Sequence, residues 1–219
     1  MGLIRTVDPA VEPISLTTAK LHLNIESTDW DTLITGLITA ARVACEEYTR
    51  RSFITQTWQL TLDAFPSTSE DLPIGLERRI EAISGYRRGP IYLDRPPVQF
   101  PLVSFKYIDT NGNLQDIDSN LAAPTMIQVE KGSGVEPRIW PAYQTSWPPT
   151  RYMMETVIVT YQAGYDSDGT KLPQMIKQAM LLQIATWFKY KENLVISTPG
   201  ELSLGVKYLL SPYKVWRAA

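Results

Sequence analysis

Catalysis by histidine, cysteine or a transition metal has little to work with in this chain, which holds one histidine, His22, and one cysteine, Cys45. A Ser-His-Asp or Cys-His pair would have to recruit His22, and nothing around it resembles a nucleophile turn, so it reads as a surface or helix-edge residue. A zinc site of nitrogen and sulfur ligands cannot be built from one of each. Asp166-Ser-Asp168-Gly169 opens like a calcium loop, but no glutamate follows at the distance that would close it, so the segment reads as a solvated turn capping the next helix. Gly132-Ser-Gly134 lacks the lysine and the helix that a phosphate loop needs. Trp140, Tyr143 and Trp147 leave one binding alternative, a carbohydrate- or single-strand-binding module that stacks its ligand on exposed tryptophans. They lie among prolines in Trp140-Pro-Ala-Tyr-Gln-Thr-Ser-Trp-Pro-Pro149, and such segments more often wrap a sheet edge and bury their rings. The residues predict a protein that is not an enzyme and holds no metal or cofactor.

The elements around these residues follow from bulk composition and period. At 219 residues, 44% apolar and 20% charged, the chain is long enough for one globular domain with a real core. With 21 basic and 23 acidic side chains the net charge is −2, which provides no field to hold a duplex by its phosphates. No apolar run reaches the ~20 residues of a membrane span, and the N-terminus lacks a signal layout, so no membrane partner is expected. Met1-Gly-Leu-Ile-Arg-Thr6 fits the loose myristoylation pattern as short sequences often do by chance. A lone cysteine excludes a disulfide within the chain and points to synthesis in a reducing, intracellular compartment.

Ser15 caps a short expected helix through Leu23. Thr28 or Asp29 would cap a long one, in which Trp30, Leu33, Ile34, Leu37, Ile38, Ala41, Ala44, Cys45 and Tyr48 recur at helical spacing. Thr32, Thr35, Thr39, Arg42 and Glu46 fall on its polar side, and Gly36 costs about 1 kcal/mol there relative to alanine, which suggests either a close crossing by another element or nothing at all. After Arg51 the period changes to that of a strand, with Trp58, Leu60 and Leu62 on one side of Ile54–Leu62. Residues 67–90 read as a polar loop carrying Arg78, Arg79, Arg87 and Arg88. Strands follow at 91–93, at 103–107 with 114–117 around the turn Asp109-Thr-Asn-Gly-Asn113, and at 126–129, 138–140 and 156–162. Pro173 opens a second long helix with Ile176, Ala179, Met180, Gln183, Ile184, Trp187 and Phe188 inward, and a short helix at 204–210 precedes Pro212. The expected class is α+β: a core of two long and two short helices, interrupted between the second and third by an antiparallel sheet. Residues 1–52 carry the N-terminal helices, 53–165 the β-rich insertion and 170–219 the C-terminal helices and tail, all in one domain.

Several blocks, in order, resemble the head-to-tail connector (adaptor) family of tailed bacteriophages and gene-transfer particles. They are Ser15-Leu-Thr-Thr-Ala-Lys-Leu-His-Leu23, Glu46-Glu-Tyr-Thr-Arg-Arg51, Ile54-Thr-Gln-Thr-Trp58 with Leu60, Leu62, Asp63, Phe65 and Pro66, and Pro137-Arg-Ile-Trp-Pro141 with Ser146-Trp-Pro148. Ala163-Gly-Tyr165, Pro173 with Ile176-Lys-Gln-Ala179, and Leu204-Gly-Val206 with Leu209-Leu210 and Pro212-Tyr213 complete the set. The stretch from Ser67 to Gly89 is longer than the family pattern, and Thr186-Trp187 stands where a histidine is common. The resemblance implies a structural protein of the virion neck, made in the bacterial cytoplasm. It implies a ring, commonly of twelve copies, between the portal protein and the next neck or tail protein (stopper or tail terminator), with DNA passing through the lumen and no sequence-specific binding. A near-neutral chain suits such a channel.

Two surfaces are the candidates for contact. Lys207, Tyr208, Tyr213, Lys214, Trp216 and Arg217 combine aromatic area with positive charge, as interface hot spots do, and make the expected portal-docking tail, ordering as it docks. Arg78, Arg79, Arg87 and Arg88 are the expected contact with acidic groups on a neighbouring subunit or tail protein.

Overall fold

The computed structural model describes residues 2–66, 89–118, 121, 125–130, 137–190 and 202–216. Arg78, Arg79, Arg87, Arg88 and Arg217 lie outside them, as does Gly132-Ser-Gly134. The chain divides into two compact units, Met1–Asp8 with Gln56–Ala163 and Pro9–Thr55 with Gly164–Ala219. The first is β-rich and the second helical, so the class is α+β.

In the helical unit, Ser15 accepts the Thr18 N–H and caps α1 (Leu16–Leu23), which ends at Asn24 in the left-handed region. The long helix α2 (Asp31–Thr49) starts later than its sequence suggests: Trp30 is the N-cap residue, without a side-chain cap bond, and Asp29 instead accepts a hydrogen bond from the Ser27 hydroxyl. Ile34, Ile38, Ala41 and Cys45 face a core shared with α3 (Gln174–Lys189) and α4 (Leu204–Leu210), through Ile176, Ala179, Met180, Ile184, Val206 and Leu210. Each large apolar side chain so buried contributes about 1.5–3 kcal/mol of gross stabilisation. Trp30 packs edge-on to Phe188 with ring centroids 5.7 Å apart, so the start of α2 meets the end of α3 and the two helices run antiparallel.

The polar side expected of α2 is in part wrong, because Arg42 and Glu46 are buried. Arg42 Nη1 donates to Glu46 Oε2 at 2.9 Å and its Nε to Glu12 Oε2 at 2.8 Å, while Glu46 Oε1 accepts the Phe53 N–H at 2.7 Å. Burial alone would lower the Arg42 pKa, but the hydrogen bonds and charges of Glu12 and Glu46 hold it above the usual arginine value. Leu33, expected to face inward, is instead exposed.

The β unit begins with a strand that the sequence did not announce. β1 (Gly2–Val7) pairs antiparallel with β2 (Gln56–Leu62), and β2 with β8 (Val157–Ala163). β8 pairs on its other side with β4 (Val98–Ile108), which pairs with β5 (Leu114–Asp116), giving the order β1-β2-β8-β4-β5. A separate sheet has the order β3-β7-β6, from β3 (Ile91–Tyr92), β6 (Ile127–Glu130) and β7 (Arg138–Pro141). The expected single sheet is thus two, sharing one core that includes Leu60, Phe105, Ile139, Val159 and Tyr161. The β4–β5 turn closes as its sequence requires: the Asp109 carboxylate accepts the Asn111 and Asn113 N–H groups, each at 2.9 Å. Those bonds, the Asn113 N–H foremost, hold its carboxyl below the usual aspartate range.

Gly164 sits at φ 143° just after β8, and a Cβ there would fall on the Ile54–Thr55 peptide. Only glycine fits, which gives the Ala163-Gly-Tyr165 block a steric cause. Gly164→Ala is expected to destabilise the protein by at least about 1 kcal/mol, read from urea denaturation.

Candidate docking surface

The structure places the chemistry-bearing residues apart from one another. His22 is exposed on α1, and Cys45 is fully buried on α2. Burial, with the nearby Glu46 charge, pushes the Cys45 thiol up to about 12, so it is neither a nucleophile nor a ready ligand. We expect a thiol reagent at neutral pH to leave Cys45 unmodified in the native protein and to label it completely in denaturant. Among the described residues no group of three or more His, Cys, Asp or Glu side chains is placed to hold a metal.

The Asp166 segment is a self-satisfied turn. Its carboxylate accepts the Gly169 N–H at 2.7 Å, the Thr170 hydroxyl at 2.9 Å and the Lys171 N–H. Desolvation raises the Asp166 pKa, but the bonds from Lys171, Thr170 and Gly169 outweigh it and leave the carboxyl below the usual aspartate range. The turn does not cap the next helix: Pro173 is the N-cap residue of α3, and no side chain bonds there.

The tryptophan platform does not form either. Trp147 is buried, stacked on Phe65 at 4.9 Å and 7°, and its Nε1 donates to the Gly89 carbonyl at 2.8 Å. Trp140 is half-buried, and only Tyr143 of the three is exposed. The Gly89 N–H also donates to the Pro66 carbonyl at 3.0 Å, so the two ends of the segment that carries the arginine cluster are tied together.

Of the C-terminal candidates, Lys214 and Trp216 meet. Ser203 accepts the Val206 N–H and caps α4, whose Val206 and Leu210 enter the helical core. Burying those two residues turns Leu204 and Tyr208 outward, 86% and 78% exposed. A 3-10 turn at Ser211–Tyr213 then carries the chain back to the C-terminal end of α2. There the Val215 N–H donates to the Thr49 carbonyl at 2.9 Å, Arg51 Nε donates to the Tyr213 carbonyl, and Val215 is buried. The Lys214 ammonium lies 4.8 Å from the Tyr48 ring centroid and 4.4 Å from that of Trp216, beside the negative end of the α2 dipole. Trp216 itself is 77% exposed. As far as Trp216, the chain's own hydrogen bonds place the tail that is expected to order as it docks. The sequence reading missed Leu204, whose exposure shows only once α4 is docked.

A helical unit is thus interrupted in sequence by two antiparallel sheets, and its C-terminal segment carries exposed aromatic and cationic side chains. Residues 13–88 match the model of the family described as "Phage gp6-like head-tail connector protein", a span that includes α1, α2 and β2. The chain is thus recognised as similar to the head-to-tail connectors, as its sequence blocks indicated. No curated protein matches it. Among solved structures, it is similar to a chain from the neck of an empty gene transfer agent particle computed with C6 symmetry, at TM-score 0.73 and 17% identity. A chain from the virion of a native gene transfer agent particle matches at TM-score 0.72 and 18% identity, and one from the native neck computed with C12 symmetry at 0.70 and 17%. Each match covers 100% of this chain and 98% of the other. At such identities the likeness establishes a shared fold.

Proposed function

We propose that this protein is a structural virion protein, the head-to-tail connector of a phage or gene-transfer particle. The observation that carries the reading is the connector-family match over 13–88, together with a fold shared along the whole chain with chains of particle necks. Both units act as one connector domain spanning 1–219, and twelve copies form a ring between the portal protein and the next neck or tail protein. DNA passes through the lumen, whose near-neutral subunits hold no phosphate tightly. The virion neck is its site of action and the bacterial cytoplasm its site of synthesis.

The portal meets Lys207, Tyr208, Tyr213, Lys214 and Trp216, and Arg217 takes part in the same contact. Arg78, Arg79, Arg87 and Arg88 meet acidic groups on a neighbouring subunit or tail protein. Disrupting the gene in a particle-producing host is the test: filled heads and separate tails should accumulate, and normally tailed, infectious or transducing particles would overturn the reading.

A further inference from the structure

Two helices of the helical unit are apolar on more than the side that faces the core. On α2, Leu33, Gly36, Ala40 and Val43 are exposed, Leu33 at 41% and Val43 at 38%. On α3, Met175 and Leu182 are exposed at 41% and 37%. Residues two apart on a helix point about 200° from one another, so Gly36, between Ile34 and Ile38, and Leu182, between Met180 and Ile184, both face away from the core. A Cβ at Gly36 would meet nothing within 4 Å, so no contact among the described residues accounts for a glycine that weakens α2.

The two outward faces are complementary when laid antiparallel. Setting Leu182 against Gly36 brings Met175 opposite Val43, a large side chain over a small or flat one at each step, as close helix packing requires. The same register brings exposed Lys189 to the start of α2, which exposed Asp29 precedes, and exposed Glu47 to the start of α3, which exposed Lys171 precedes, opposite charges at each end. Antiparallel is also the orientation a ring imposes. α2 and α3 are antiparallel within the chain, and a twelve-fold rotation turns the neighbour's α3 by only about 30°. A contact between two different faces of the same chain is heterologous, the kind that repeats head to tail and closes a ring.

We propose that the outward face of α2 in one copy receives the outward face of α3 in the next, with Leu182 seated on Gly36 and ion pairs Asp29–Lys189 and Glu47–Lys171 fixing the register. This inference rests on the ring reading and names its interface.

The test uses the full chain carrying both Gly36→Cys and Leu182→Cys, concentrated and oxidised with copper-phenanthroline; Cys45 is fully buried and silent. A ladder of covalent species from dimer upward is expected, with monomer only from either single variant. A double variant that stays monomeric overturns the proposal, and so does a dimer from Gly36→Cys alone, which would pair α2 with itself. Glu47→Lys in the double-cysteine chain should cut the ladder at least about fivefold, and adding Lys171→Glu should restore it. Failure to restore overturns the register. Circular dichroism checks that each variant keeps its fold. No ladder, with a ring still seen in images of particle necks, would remove this interface and leave the ring; necks without a ring of this protein would remove both.

Discussion

Arg42→Ala is expected to lower folding stability by about 3–5 kcal/mol, the cost of breaking a buried pair from one side. For a chain of this size that is a melting temperature lower by about 6–20 °C. The cause is what the substitution leaves behind. Glu46 is 5% exposed, and without Arg42 its Oε2 loses a 2.9 Å charged partner while Oε1 remains tied to the Phe53 N–H. Glu12 would lose its bonds from Arg42 but retain the Thr39 hydroxyl, and at 27% side-chain exposure it can turn to water. Glu12→Gln should therefore cost less than Arg42→Ala. Arg42→Lys should fall between, since an ammonium carries the charge without the fork that reaches both carboxylates. Urea denaturation followed by circular dichroism at 222 nm gives the values. An Arg42→Ala protein within about 1 kcal/mol of wild type would mean that the unit relaxes to hydrate Glu46.

The same residues show where the sequence stops being readable. Ile34, Ile38, Ala41 and Cys45 could be placed on the inner face because helical period is local information. Arg42 and Glu46, four apart, carry the signature of a solvent-facing pair, and their further partners are not local to the helix: Glu12, 30 positions away, bonds Arg42, and the Phe53 N–H bonds Glu46. β4 fails for a related reason. Alternation predicts Val103 beside Phe105, but the β4–β8 register shifts between Gln99 and Ser104, so Leu102 and Phe105 are buried and Val103 is exposed. β1 gave no signal because it is an edge strand: four of its six residues are exposed, so neither of its faces needed to be uniformly apolar.

The docking surface was legible in composition and not in geometry. Tyr208, Lys214 and Trp216 could be singled out as aromatic and cationic, but the bond from Val215 to Thr49, which places the neighbours Lys214 and Trp216, spans most of the chain. Gly36 is the reverse case. Its cost to α2 was visible in the sequence, and the structure shows open space around it among the described residues, which is what the proposed contact between chains would fill.

Tyr208→Ala and Trp216→Ala are expected to block joining of heads to tails without unfolding the protein. Both rings are more than three-quarters exposed, so truncation opens no cavity in the core. Within the chain, truncating Trp216 frees the Lys214 ammonium from one aromatic face, a cation–π attraction of about 0.5–1 kcal/mol at an exposed site, and Lys214 retains the Tyr48 ring. At an interface the balance reverses, because a desolvated Tyr or Trp anchor contributes about 2 kcal/mol or more, about thirtyfold in affinity for each substitution. Portal-bearing heads mixed with the double variant should therefore bind it about 10³-fold more weakly than wild type, while the melting temperature stays within about 3 °C. Leu21→Ala is the matched control: Leu21 is 78% exposed on α1, outside the proposed surface, and its loss should leave joining intact. Normal joining by the double variant would place the portal contact elsewhere, whereas weakened joining by Leu21→Ala as well would show that apolar exposure in general, and not this surface, sets the affinity.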